Sequence, residues 1–422
     1  MDDQSQVRPA TSRFRWNICG LLFFATVIAY MDRGVLGNLE LQLEQSLHFS
    51  SVAYGYISAS FLFTYAIGFL IAGWLTDKLG IRKAFILAIA FWSFAAMAPG
   101  AATSAVTLGV AMFLLGFGES ANFPACMKTV AEWFPKRERA LAAGLFNAGA
   151  NVGNMLVPGF VAILATYLNW RMAFVAAGSL GFIWLIFWIW LYRKPEEHKS
   201  VSAEELALIQ SDPIDERTAT MSWLSLFPRR ETWAFAIGKF LTDPIWWFWT
   251  FWLPRYFQKT FHLTLGKSSA PLMAIYAFTC VGSIGGGWLS SFLLKRGWSL
   301  NAARKTALLV CALCVLPVLY APYAGNMWVV TALVALACAA HQGFSANILT
   351  MPSDLFPKSA IGSVVGIGSM CGAVVGCVLF ISAGYISRIS YTPLFVYAGS
   401  GYLVALALIH VLSPKLEPAK VD

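Results

Sequence analysis

Residues 18–36 read Ile-Cys-Gly-Leu-Leu-Phe-Phe-Ala-Thr-Val-Ile-Ala-Tyr-Met-Asp-Arg-Gly-Val-Leu, an apolar run broken by Asp32 and Arg33 side by side. The run is long enough to cross the ~30 Å hydrocarbon core of a bilayer. An ionised group at that depth costs about 2.5–3.5 kcal/mol on insertion scales, so a chain keeps one there only with a partner and usually for a task. Adjacent opposite charges in a first membrane helix point to a polar pocket on a transport path, able to hold a proton and an anion.

The same pattern extends along the chain. Of 422 residues, 58% are hydrophobic and 12% charged, about half the charge of a soluble protein. Apolar blocks predict roughly twelve spans near 15–38, 51–75, 83–101, 105–126, 140–165, 172–192, 232–256, 269–293, 305–321, 327–350, 361–387 and 392–412. The first block is too long, and too polar at its centre, for a cleavable signal and is read as a retained helix. The net charge of +9 is not a nucleic-acid footprint, because 22 of the 30 Lys and Arg fall in the N-terminus, the even-to-odd loops and the C-terminus. By the positive-inside rule both termini face the cytoplasm. Eight cysteines lie inside apolar spans, and Cys311 with Cys314 reads as helix packing rather than a metal or redox site.

The longest polar stretch, from Arg193 to Glu231, separates two sets of six spans. It defines an N-terminal bundle (1–192), a cytoplasmic linker (193–231) and a C-terminal bundle (232–422). The halves resemble each other: Ala72-Gly73-Trp74-Leu75-Thr76-Asp77 is echoed by Gly286-Gly287-Trp288-Leu289-Ser290-Ser291, and Glu132-Trp133-Phe134-Pro135-Lys136 by Asp354-Leu355-Phe356-Pro357-Lys358. A parallel duplication of this kind places substrate at the interface of the halves, near mid-membrane. Gly149 with Gly153, and Gly368, Gly372 and Gly376, read as close helix packing.

Gly73, Asp77, Gly80, Arg82 and Lys83 fit the G-x-x-x-D-[RK]-x-G-x-[RK]-[RK] loop of the major facilitator superfamily, which the chain therefore resembles. In the second copy Ser291 stands where an acid is expected, which predicts a weaker gate there. Tyr30-Met31-Asp32-Arg33, Gly118 through Pro124, Glu132 through Ala140, Phe146 through Gly149, Lys239 through Pro244 and Ala340-His341-Gln342 are similar to the anion:cation symporters within that superfamily, and most of all to bacterial hexuronate transporters. The resemblance implies an all-α membrane protein of twelve transmembrane helices in two pseudo-symmetric six-helix bundles. It implies import of glucuronate or galacturonate, with protons as coupling ion and no cofactor or metal.

The resemblance places the proton-linked carboxylates at Asp32 and Glu119, and anion contacts at Arg33 and Tyr65. A carboxylate among apolar side chains favours its neutral acid, which lets it load and release a proton near neutral pH. Arg33 stays charged and offers a carboxylate a bidentate fork. Sugar-acid members of the family commonly carry an Arg seven residues before the fourth-helix Glu; here Met112 occupies that position, which leaves Glu119 without that partner.

Each of these residues also has a plainer reading. Asp32 and Arg33 can form a structural ion pair, Glu119 can brace helix packing near Pro124, and Tyr65 can belong to an aromatic core. Lys239 and Asp243 stand at i, i+4 and share a face. Trp247 can stack on a sugar ring or face lipid. His341, Gln342 and Asn347 in the tenth span need protein partners or a cavity, as do Asn147 and Asn151 one turn apart in the fifth. The expectation is a monomeric, non-enzymatic symporter in the bacterial inner membrane, carrying a small organic anion. Galactonate, glucarate or tartrate are alternative cargoes, and efflux is a remoter one that a buried Arg33 argues against.

Overall fold

A computed structural model describes residues 13–211, 223–356 and 358–417. The first half holds α1 (Phe14–Leu47), α2 (Ser51–Leu79), α3 (Ile81–Met97), α4 (Ala105–Glu119), α5 (Asn122–Trp133), α6 (Lys136–Tyr167) and α7 (Trp170–Leu191). Two short helices, α8 (Ala203–Ile209) and α9 (Trp223–Leu226), lie in the connection. The second half holds α10 (Arg230–Thr260), α11 (Leu265–Lys295), α12 (Leu300–Val315), α13 (Met327–Ile348), α14 (Met351–Leu355), α15 (Lys358–Ile386) and α16 (Thr392–Leu412). α4 with α5 and α13 with α14 each make one broken crossing, so the chain forms twelve crossings in two six-helix bundles. Eleven of these are apolar enough to span a membrane. The twelfth, α10, carries Lys239, Asp243, Pro244 and Pro254 within its length.

Local chemistry explains where the helices start. Ser50, Asn169 and Ser299 cap α2, α7 and α12 through their side-chain oxygens, and Ser104 forms a reciprocal capping box with Thr107 at α4. α1 has no cap from its own neighbours. Glu205 of α8 takes that role from afar: its carboxylate accepts from the backbone N–H of Phe14 (3.0 Å) and Arg15 (3.1 Å). The Arg15 side chain in turn bridges Glu205 and Glu138, both at 2.9 Å. α8 is therefore fixed to the first half.

The duplication is visible in the backbone. Among the described residues four have positive φ, and they form two pairs: His48 (53°) with His262 (50°), and Gly80 (76°) with Gly297 (85°). The pairs lie 214 and 217 residues apart and occupy matching turns of the two halves. The breaks between α4 and α5 and between α13 and α14 match as well, as do the 3₁₀ segments after α3 and α12 (Ala98–Ala101, Leu316–Tyr323).

The halves meet where α2 packs on α15, α6 on α11 and α1 on α10. At the end remote from both described termini the contact is tight. A Cβ on Gly55 would stand 2.6 Å from Phe380 O, and one on Gly384 would stand 2.7 Å from Ser51 O, so α2 and α15 touch backbone to backbone there. Polar links close the same end: Arg255 pairs with Glu40 and, at 2.8 Å, with Glu44. Tyr54 OH donates to Phe251 O (2.7 Å), Gln258 to Asn38 O (3.2 Å) and Ser269 to Pro158 O (2.9 Å). Exposed Ile284, Val374, Trp190 and Val106 lie on the outer surface, where lipid rather than water is the solvent.

Candidate functional site

α1 places Tyr30 and Arg33 one turn apart, and α2 places Phe61 and Tyr65 at i, i+4 on one face. With Trp247 from α10 these rings enclose the Arg33 guanidinium, with centroids at 4.7, 5.4, 4.6 and 5.5 Å in the order Tyr30, Phe61, Tyr65, Trp247. Such cation–π contacts strengthen once water is removed, and Arg33 is 1% exposed. Its charge partner is Glu119, the last residue of α4. The helix stops there and restarts at Asn122, with Pro124 in the first turn of α5, where its missing N–H leaves no helical bond unmade. Nη1 of Arg33 and Oε1 of Glu119 have no hydrogen-bond partner among the described residues.

These contacts revise two expectations. Asp32 and Arg33 are adjacent in sequence but do not form the pair; α1 turns them apart, and Arg33 reaches across to α4. Glu119 does have a cationic partner, despite Met112, which is buried in the apolar core. Asp32 is 2% exposed, and neither carboxylate oxygen has a hydrogen-bond partner among the described residues. The Trp92 indole of α3 approaches it without completing a hydrogen bond. Burying an ionised carboxylate without a partner is costly, so this position suits a neutral acid.

In the second half Lys239, Asp243 and Trp247 stand at i, i+4, i+8 on α10, with Lys239 Nζ 2.7 Å from Asp243 Oδ2. His341 of α13 shares a 2.6 Å hydrogen bond with Tyr402 OH and stacks on Trp246 at 5.0 Å, nearly parallel. Gln342 donates to Asn151 across the two halves at 3.0 Å. Asn347 belongs to a different setting, donating to Gly286 O and Gly343 O and stitching α13 to α11. Asn147 is exposed and no contact joins it to the Arg33 group. Tyr65 and Trp247 are brought to Arg33 as described.

Of the loop signature, Gly80 has the left-handed φ that the turn into α3 requires, and Arg82 donates to Ile189 O at 2.9 Å, tying that turn to α7. Lys83 is exposed beside it. The side chains of Gly73 and Asp77 lie outside the described residues. In the second half Arg304 joins Asp354 of α14 and Ser290 of α11, both at 3.1 Å.

Sequence reasoning missed Tyr30, Phe61, Tyr402, Glu40 and Arg255. Tyr30 and Phe61 had a readable signal, since they stand one turn from Arg33 and Tyr65. Arg255 and Glu40 had none, because each reads as a loop or span-end charge until α1 and α10 are packed together.

A family model described as Major Facilitator Superfamily matches residues 22–381. The hexuronate transporter of Escherichia coli (strain K12) is 28% identical over 416 residues, covering 96% of each chain. The D-galactonate transporter of Escherichia coli O6:H1 is 27% identical over 414 residues, covering 95% of each. The crystal structure of a D-xylose–proton symporter superposes with a TM-score of 0.77 at 13% identity, over 96% of this chain and 99% of that one.

Proposed function

The chain belongs to the Major Facilitator Superfamily, and on that premise we propose that it imports a hexuronate, glucuronate or galacturonate, together with a proton by alternating access. It is a multi-pass membrane protein whose curated relatives are transporters, not enzymes. We place it in the bacterial inner membrane as a monomer, with both termini in the cytoplasm and the sealed end facing outward. One observation carries the reading: a buried guanidinium in a ring of four aromatic side chains, held by one acid from another helix and with Nη1 unused.

That arrangement links proton and anion. With Glu119 ionised, Arg33 already has its counter-charge. A proton on Glu119 removes it and frees the guanidinium to grip a substrate carboxylate through parallel N–H groups. Asp32 serves as the second proton carrier. Tyr65 and Trp247 offer flat faces to the apolar side of a sugar ring. Lys239 with Asp243, His341, and the Asn151–Gln342 pair offer hydrogen bonds to its hydroxyls from both halves, so a ligand between them would draw the halves together.

Uptake of labelled glucuronate into proteoliposomes is expected to rise with an inward proton gradient and to fall to background in Arg33→Ala. Uptake indifferent to the gradient would sink the symport claim. Galactonate is a second reading, favoured by Met112 and by a similarity to a galactonate transporter within one percentage point of that to the hexuronate transporter; a competition panel separates the two acids.

A further inference from the structure

At the remote end of the bundle a cavity of about 710 Å³ opens between the halves, beside the cluster of Arg255, Glu40 and Glu44. That is within the roughly 300–1,000 Å³ of ligand pockets. Asn38, Gln42 and Gln45 line it from one face of α1, Thr166 from the end of α6, Gln258 from α10 and Thr264 from the turn into α11. No lining residue is ionisable. The rest of the lining is Leu41, Ala165, Leu263, Leu265 and Gly266, so six carboxamide or hydroxyl side chains alternate with apolar and small ones at a contact between bundles, where apolar or small residues would pack as well.

The innermost members are built in. Asn38 is 3% exposed and Gln258 8%. Asn38 donates to Gly34 O at 2.9 Å and Gln258 donates to Asn38 O at 3.2 Å. Each bond uses one of the two N–H donors of its carboxamide and leaves the side-chain oxygen able to accept. Gln42, Gln45 and the two threonines add groups that both donate and accept. Such a set complements hydroxyls, which also do both, and offers no cation to a carboxylate.

We infer that this cavity is a second binding site, separate from Arg33, for a polyhydroxylated ligand: a sugar, or the hydroxylated body of a sugar acid irrespective of its charge. The inference stands apart from the transported species. Its floor, the Gln258–Asn38 hydrogen bond, joins the two halves, so an occupant touches a contact that parts when this end opens.

The test is saturation-transfer NMR on the full chain in nanodiscs, with methyl α-D-glucoside as a neutral probe and glucuronate as a charged one. Wild type and Arg33→Ala should give the same neutral-probe signal. Gln42→Leu/Gln45→Leu should weaken it at least about fivefold, the scale of a lost hydrogen bond or two, while keeping the Arg33-dependent glucuronate signal. Should the double variant misfold, Gln45→Trp, which fills the cavity from its exposed rim, should give the same loss. A neutral probe that is silent in wild type, or equally bound after both changes, overturns the inference. If glucuronate binding does not depend on Arg33 even with the cavity filled by Gln45→Trp, while the neutral probe behaves as expected, the Arg33 anion-site reading fails and this site stands.

Discussion

At the scale of single residues the decisive contact is Arg33 with Glu119. Glu119→Gln keeps the shape but removes the charge that competes for Arg33. The expected outcome is loss of gradient-driven uptake by more than about tenfold, or 1.4 kcal/mol, with substrate exchange between equal pools preserved. Counterflow measured beside net uptake checks this; equal loss of both would mean that Glu119 only holds the fold. Neither the pair nor its consequence was legible in the sequence, because Arg33 and Glu119 are 86 residues apart and only packing decides which acid an arginine meets. The positions themselves were legible, since a charge in an apolar run announces itself. A second residue, His198, lies outside the membrane. Its Nε2–H donates to Leu191 O (3.1 Å), Nδ1 accepts from Ser200 N–H (3.2 Å), and its ring rests on Phe14 and Trp133. Both ring nitrogens are matched only in the neutral form, and burial holds its pKa below the ordinary 6.5. The unfolded chain therefore binds this proton more readily, and the docked linker loses stability as pH falls through about 6.5. Corrected for the intrinsic slowing of amide exchange at lower pH, protection over residues 195–205 should fall between about pH 8 and pH 5, and His198→Phe should abolish that dependence.

Among the helices, the interface of α1 with α10 deserves the next experiment. Hydropathy predicted these helices at 15–38 and 232–256, whereas they run to Leu47 and Thr260. For α1 the shortfall has one cause. Glu40, Glu44 and Arg255 look like the water-side ends of membrane helices, yet they neutralise one another across the interface, and the helices continue through them. Removing one member of a buried pair costs about 3–5 kcal/mol because the other is left uncompensated. Arg255→Met should therefore destabilise the closed state. A cysteine at Asn38, 3% exposed here, should become reactive to an impermeant maleimide added outside. Arg255→Met with Glu40→Gln and Glu44→Gln should reverse most of that gain; unchanged reactivity in the single variant would show that the seal lies elsewhere.

For the whole molecule, the twelve crossings and the two-half plan could be read from the sequence, because hydropathy and duplicated turns are written locally. What could not be read is which contacts hold the halves. Among the described residues the hydrogen bonds and ion pairs across the halves cluster at the remote end and mid-depth, as with Tyr54–Phe251 and Gln342–Asn151. The carboxylate of Glu205 adds a consequence of another sort. By capping α1 it makes the early linker a passenger of the first half, while Leu226 of α9, 0% exposed in the apolar core, anchors the linker's other end. Cutting the chain near residue 216 and supplying both pieces together should give an assembled transporter with uptake within about threefold of the intact chain, a far smaller change than the tenfold steps above. If so, the two halves recognise each other by their faces alone, as two independently inherited subunits would.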